Sequence, residues 1–409
     1  MAATARQTAA TARYEAKKEA ILAAATATLN RQGVKGMTMA GVAAEVGLIT
    51  TSVTYYYRKK EDLAAACFLR GIERFAALVD KASTAATAQE RLLAFLDRFL
   101  DLQRRVRKGE APPLVSFTEV RTLNEPHRTP VFEAFNNLFR RVRELFDTPE
   151  LADLSRAERN ARTHLLLEQV FWTGTWLRRY ETEDYGRVRD RMFDILTGGL
   201  AARAQDWNPP SLTVGQLTTD PQEASRETFL VAATRLINQR GYRGASVEDI
   251  SAALNVTKGS FYHHNDAKDG LVVACFERTF QVMREAQSAA RDLPGDQWSR
   301  LAAATSALAR HQLSEHGPLM RASVMTALPA DLRHDMSERY VRVSDRFSGM
   351  VSDGIAEGSI RAVDPMIAAH MLNSLLNAAA SLAVWAGDTK KEDAASLLVR
   401  PLMVGIFRP

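Results

Sequence analysis

Apolar residues recur at helical spacing along most of the chain. In the first half the pattern runs through "AQERLLAFLDRFLDLQRRV", "PVFEAFNNLFRRVRELF" and "LLLEQVFWTGTWLRRY"; in the second it runs through "DPMIAAHMLNSLLNAAASLAVWAG" and "EDAASLLVRPLMVGIF". Strand signals are few, so the pattern predicts an all-α protein. One long interruption stands at "AQDWNPPSLTVGQLTTDPQ", residues 204–222, where paired prolines and a Thr/Asp/Pro cluster break the periodicity. A linker between two halves is expected there.

The halves contain copies of one unit. The stretch "AAATATLNRQGVKGMTMAGVAAEVGLITTSVTYYYRKKEDLAAACF" from Ala23 aligns without a gap with "VAATRLINQRGYRGASVEDISAALNVTKGSFYHHNDAKDGLVVACF" from Val231. The alignment pairs Asn30 with Asn238, Gly33 with Gly241, Ser52 with Ser260, Lys60 with Lys268 and Cys67 with Cys275.

Each copy reads as three short helices. Helix one ends at Gly33 or Gly241, where glycine suits a left-handed C-cap. Thr38 and Ser246 stand where an N-cap belongs, and Ser246 with Asp249 three residues on forms a capping box. Helix two carries Val42 and Val46, or Ile250 and Leu254, on one face and stops at Gly47 or Asn255. After a short turn, "GLIT" or "NVTK", a third helix begins, which is the helix-turn-helix layout. On the third helix of the first copy, Val53 and Tyr57 share the inward face. Thr54, Tyr55 and Tyr56 turn away from it at about 100° per residue. The outward face offers Thr50, Thr51, Ser52 and Thr54 with two aromatic rings, followed by Arg58, Lys59 and Lys60. That set suits phosphate positioning and base-edge contact in a major groove.

These stretches resemble the DNA-binding domain of the TetR family of transcriptional regulators, whose usual pattern is G-[ST]-[LF]-Y-x-[YH]-F followed by a lysine. In the second copy Gly259, Ser260, Phe261, Tyr262, His263 and His264 match, as does Lys268, while Asn265 takes the inward aromatic position. In the first copy Thr51 replaces the glycine and Thr54 the first tyrosine; Tyr57 and Lys60 match. The resemblance implies that the third helix enters the major groove, with Tyr56 and His264 at phosphates and Tyr55 and His263 at bases. Lys60 and Lys268 would meet phosphate from the next helix, and Thr38 and Ser246 from the start of helix two. The full expected contact set is Thr38, Thr50, Thr51, Ser52, Thr54, Tyr55, Tyr56 and Lys60, with Ser246, Lys258, Gly259, Ser260, Tyr262, His263, His264 and Lys268.

The resemblance also implies five segments: a first DNA-binding domain at 1–75, its helical ligand-binding and dimerisation domain at 76–203, the linker at 204–222, a second DNA-binding domain at 223–283 and a second helical domain at 284–409. Family members ordinarily pair as homodimers. Two readers on one chain therefore suggest a covalent pseudo-dimer, with further association of chains left open. The expected partners are a double-stranded DNA operator and an unidentified small-molecule effector that releases a repressor; no cofactor is implied. Phe117, Phe135, Trp172, Trp176, His311, Arg321 and Met325 are candidates to line an effector site, with core or inter-half packing as the alternative reading of each.

Composition narrows the field. At 409 residues, 46% hydrophobic and 25% charged, the chain is an ordinary folded protein of two or more domains. No apolar run approaches the roughly 20 residues that span a bilayer, and the N-terminus lacks a secretory h-region, so a cytoplasmic protein without membrane contact is expected. Two cysteines, Cys67 and Cys275, rule out a disulfide framework and a four-cysteine zinc site within the chain. The net charge of +5 is unevenly placed. Residues 13–75 hold ten Lys/Arg against six Asp/Glu, whereas residues 221–283 hold seven of each. The first reader should then dominate electrostatic attraction to DNA, and the operator should have unlike half-sites.

Other constellations are weaker. His263 and His264 point about 100° apart on a helix and have no partner at ligand spacing, and His164 with Glu168, i and i+4, lacks a third ligand, so no metal site is expected. "DLQRRVRKGE" reads as a solvated face. Arg6, Arg13, Lys17 and Lys18 suggest a minor-groove arm or a disordered tail. The rival function is a helical enzyme or ligand-binding protein with a degenerate first reader; a third is an architectural protein using one reader. No phosphate loop, nucleophile elbow or metal-spaced set supports catalysis.

Overall fold

A computed structural model describes residues 2–202, 207–215, 221–242, 244–253, 268–386 and 390–408. The helices of the first half are α1 (Ala2–Gly36), α2 (Met39–Glu45), α3 (Thr50–Tyr56), α4 (Lys60–Ala82), α5 (Ala88–Arg107), α6 (Arg128–Arg143), α7 (Arg156–Trp176) and α8 (Tyr185–Gly198). Those of the second are α9 (Pro221–Arg240), α10 (Val247–Ala253), α11 (Lys268–Arg291), α12 (Gln297–Gln312), α13 (Ala330–Glu357), α14 (Pro365–Ala379), α15 (Leu382–Ala386) and α16 (Arg400–Val404). Among the shorter 3-10 segments, one of six residues stands in each half, Phe117–Thr122 and Ala322–Ala327. Among the described residues no strand forms, and one isolated antiparallel bridge joins Ala201 to Ile360. The fold is all-α, as the periodicity predicts.

Helix ends have local causes. Gly33 leaves the helical region at φ 69° and stops the first helix where expected. Upstream, α1 reaches back to Ala2, so residues 2–18 are helical and neither an extended arm nor a coil. The alanines and lysines of "AATARQTAATARYEAKK" are good helix formers that cost little side-chain entropy, which explains the extension. Ser155 and Glu158 close a capping box on α7, and Asp364 caps α14 ahead of Pro365.

The chain divides into two compact units, Met1–Ala77 with Arg105–Leu138, and Leu78–Arg104 with Phe139–Pro409. The core of the first gathers Ile21, Leu29, Val42, Val53, Leu63 and Phe68, all buried. Cys67 donates to the Leu22 carbonyl there, Arg70 pairs with Glu19, and Arg74 donates to the carbonyls of Pro112 and Pro113. The second unit repeats the pattern: Cys275 donates to the Leu230 carbonyl and Arg278 pairs with Glu227 at 2.6 Å. Burial pushes both thiols up, Cys67 to about 11 and Cys275 to about 12, so both are inert small hydrophobes.

A second repeated contact ties α1 and α9 each to the segment that leads into a 3-10 turn. Asn30 on α1 donates to the Leu114 carbonyl at 2.8 Å and accepts from the Ser116 amide at 2.8 Å. Asn238 on α9 does the same with the Leu319 carbonyl and the Arg321 amide, both at 2.9 Å. A primary amide is suited to this, since it offers a donor and an acceptor side by side.

Within the second unit the last helices of the two halves pack together. α7 and α8 meet α14, α15 and α16. Polar side chains on α7 satisfy main chain across the seam: Asn160 donates to the Trp385 carbonyl, Gln169 to that of Met371, and the His164 Nε2 lies 2.8 Å from that of Ala378. Arg162, 1% exposed, donates to the carbonyls of Ile406 and Arg408 at 2.8 and 2.7 Å. Around them Trp176 stacks on His370 at 4.8 Å, Phe139 on Trp385 at 4.1 Å, and Trp172 meets Tyr340 edge-on. Two glycines allow the closest approach. At Gly199, φ 68°, a Cβ would fall 2.5 Å from the Val404 carbonyl carbon. At Gly405, φ 114°, one would fall 2.4 Å from the Thr197 carbonyl oxygen. Both backbones are in a region that favours glycine.

Candidate nucleic-acid interface

In the first reader α2 and α3 are held by short-range devices. The Thr38 hydroxyl accepts from the Gly41 amide at 3.1 Å, Gly47 turns the chain at φ 66°, and Val53 anchors α3 in the core with no exposed surface. Glu45 at the end of α2 receives Thr28 and Arg31 from α1. The face of α3 opposite Val53 is open. Thr50 and Thr51 are exposed, Ser52 and Thr54 half-buried, and Tyr55 is 76% exposed. Thr54 donates to the Thr51 carbonyl, which holds its side chain against the helix.

Three tyrosines follow three courses. Tyr57 caps α3 in an extended conformation and is half-buried, and burial pushes its phenol up to about 12. Tyr55 stands out, with its ring edge-on to Tyr56 at 5.3 Å. Tyr56 leans on Tyr14 of α1 at 4.8 Å; its phenol is raised by partial desolvation and by the Tyr14 and Tyr55 phenols. Tyr14 is absent from the expected contact set, because 41 residues separate it from Tyr55 in the sequence. Lys60 opens α4 and its Nζ donates to the Lys35 carbonyl at 3.3 Å, while Asp62 accepts from the Lys59 amide at the start of that helix.

In the second reader the capping box forms in both directions. The Ser246 hydroxyl accepts from the Asp249 amide at 3.0 Å, and Asp249 accepts from the Ser246 amide at 3.1 Å. The Ser246 hydroxyl also donates to the Asp249 carboxylate at 2.6 Å, and that bond, with the Ser246 amide and Arg240 at 2.7 Å, holds the Asp249 carboxyl down at about 2. Lys268 places its ammonium 4.7 Å from the centre of the Tyr242 ring, and Tyr242 also bonds Asp269. Lys258, Gly259, Ser260, Tyr262, His263 and His264 lie outside the described residues.

The candidate effector residues fall into separate groups. Phe117 meets Phe135 at 5.4 Å and Phe75 at 6.5 Å in the first unit. Trp172 and Trp176 belong to the seam, the packing alternative read from the sequence. His311 is buried beside the Val214 backbone, and burial with the Arg278 charge lowers its imidazole to about 4. Arg321 bonds the Ser381 hydroxyl, and Met325 is buried in the 3-10 turn. A cavity between α1, α4 and residues 112–115 is only about 10 Å³, room for a single water and too small for an effector. His164 spends its Nε2 on a carbonyl. Among the described residues no three His, Cys, Asp or Glu side chains gather at metal-binding distance. No described helix is long and apolar enough to cross a membrane.

Comparison with known proteins matches both readers to one family. The family model described as "Bacterial regulatory proteins, tetR family" matches residues 21–67 and again 229–275. The Transposon Tn10 TetC protein of Escherichia coli is 26% identical over 156 residues, 37% of this chain and 78% of TetC. The HTH-type transcriptional repressor DhaR of Mycobacterium sp. (strain GP1) is 43% identical over 44 residues, 11% of this chain and 22% of DhaR. Among solved structures, apo AibR is 24% identical and covers 44% of this chain and 98% of its own, with a TM-score of 0.36. PfmR from Thermus thermophilus is 22% identical over 44% of this chain and 99% of its own, with a TM-score of 0.36. Each half of the chain thus carries, at residues 21–67 and again at 229–275, a segment that matches the tetR family of bacterial regulatory proteins, so two such units stand in tandem.

Proposed function

We propose that the chain is a transcriptional repressor that grips one operator with both readers, its halves acting as a covalent pseudo-dimer. The proposed domains are those read from the sequence: readers at 1–75 and 223–283, helical domains at 76–203 and 284–409, and a linker at 204–222. The single observation that carries the reading is the outward face of α3, where Thr50, Thr51 and Tyr55 stand exposed on a helix anchored by Val53. Such a face on the second helix of a helix-turn-helix suits a major groove. Thr50, Thr51, Ser52, Thr54, Tyr55 and Tyr56 read the first half-site; Lys258, Gly259, Ser260, Tyr262, His263 and His264 read the second. The seam built by α7 and α8 against α14 to α16 supports the pseudo-dimer, because it puts the ends of both halves into one core.

A small molecule in the helical domains releases the operator by favouring a spacing of the readers that no longer fits adjacent grooves, which lie about 34–36 Å apart. The two asparagine latches are the means of transmission, since each bonds helix one of a reader directly to the segment that carries the 3-10 turn. The protein acts in the cytoplasm and is not an enzyme. Gel shifts over a range of salt on DNA selected from a random pool test the reading. Tyr56→Ala and His264→Ala should each weaken specific binding, and the first reader should supply more of the salt slope, about 0.9 per phosphate contact in the log-log plot. A footprint with a perfect inverted repeat and equal half-site affinities would refute the asymmetric operator. Unchanged binding in both variants would refute the tandem reader.

A further inference from the structure

We propose that Ile49 reads a thymine methyl group in the first half-site. The inference rests on the proposed DNA reading and adds to it a residue outside the expected contact set. Ile49 is 71% exposed. Of the six large hydrophobic side chains exposed among the described residues, Tyr14, Ile49 and Tyr55 all belong to the first reader. Folding does not explain this isoleucine. It packs in no core, and leaving a side chain of this size in water forfeits the burial energy it could have contributed.

Its backbone place makes the choice stranger. Ile49 is the N-cap of α3, with φ −82° and ψ 152°, and no side chain caps that helix start. Ser, Thr, Asp or Asn would satisfy an orphan amide there, and isoleucine is among the poorest N-caps. The position therefore gives up both a capping bond and apolar burial. It lies at the N-terminus of α3, next to the exposed Thr50 and Thr51. In a helix-turn-helix the N-terminal residues of the recognition helix contact base edges. The one apolar group a base presents in the major groove is the C5 methyl of thymine. An exposed branched aliphatic chain at this place complements that methyl and no other base edge. In the second reader the same sequence position is Thr257, so the two half-sites need not share the thymine.

The test uses the full-length protein and an operator duplex selected on it. Each thymine of the first half-site is replaced in turn by deoxyuridine, which removes only the methyl group. One position should weaken wild-type binding about four-fold, the equivalent of the roughly 0.8 kcal/mol of one buried methyl. Ile49→Ala should bind the thymine and uracil duplexes alike at that position, and Ile49→Val should keep the preference. Because Ile49 is exposed, both variants should fold, as circular dichroism will register. Wild-type binding that ignores uracil at every position, or an Ile49→Ala protein that still discriminates, overturns the proposal. Failure of wild type to select any duplex overturns the DNA reading itself, and this inference with it.

Discussion

Cutting the asparagine latches should uncouple the readers from the helical domains at a modest, measurable cost. Asn30→Ala removes two hydrogen bonds of 2.8 Å, and Asn238→Ala removes two of 2.9 Å. A neutral hydrogen bond contributes about 0.5–1.5 kcal/mol net, so each latch is worth about 1–3 kcal/mol. Alanine returns about 0.5 kcal/mol through its better helix propensity, because both asparagines lie on helices. The expected loss is about 0.5–2.5 kcal/mol per variant, similar in the two halves because the four distances are similar. Urea denaturation measures the total. Hydrogen exchange of the Ser116 and Arg321 amides reports the site, since each loses its acceptor and should exchange about ten-fold faster for a local loss of about 1.4 kcal/mol. Function should change in kind: with a latch cut, an effector that weakens operator binding in the wild type should lose most of that effect. Ser116 and Arg321 amides that stay as protected as before, or an effector response of undiminished size, would refute the assignment of the latches as couplers.

Three further outcomes are expected. Tyr14→Ala should weaken operator binding about two- to ten-fold, the worth of one aromatic pair, with stability nearly unchanged, because Tyr14 supports Tyr56 at 4.8 Å while remaining exposed; equal affinities in a gel shift would count against it. His311 and His370 are held neutral by burial, each lowered to about 4. The unfolded chain takes protons below about 6.5, so their contribution is full above that pH and is lost as pH falls toward 4, by up to about 1.4 kcal/mol per pH unit for each imidazole. Urea titrations from pH 7 to 4.5 should show the slope, and His370→Phe should remove about half; a flat profile would be incompatible with both buried rings. Gly199→Ala should cost more than about 3 kcal/mol and lower the melting temperature, since it combines a strained backbone with a Cβ 2.5 Å from main chain; a melt like that of the wild type would disprove the close approach.

Features governed by neighbours in sequence were legible. Gly33 ends a helix and Thr38 caps one; Ser246 and Asp249 form their box, and Val53 faces inward while Tyr55 does not. Each depends on a few consecutive residues, and helical periodicity is enough to place them. Features governed by distant main chain were not. Gln169 finds the Met371 carbonyl 202 residues away, Arg162 finds Ile406 at 244, and Asn30 finds Leu114 at 84. Nothing in the local pattern marks them as partners of distant carbonyls, and only folding brings those carbonyls near. A signal for the latch was present: Asn30 and Asn238 are identical in copies that differ at most positions. Ile49 escaped for another reason. A hydrophobic residue in a turn is ordinary until its exposure and its unused cap are both known.

Gly199 and Gly405 press against each other's half in matching fashion, which bears on how such a molecule can diverge. In an assembly of two identical chains, symmetry duplicates every substitution, so a damaging change at the joint strikes twice and a useful one cannot be confined to one side. Fusion ends that duplication, because each position now exists once. In one chain the joint can stay fixed at both glycines while the remote ends differ, and the two readers do differ, with net charges of +4 and zero.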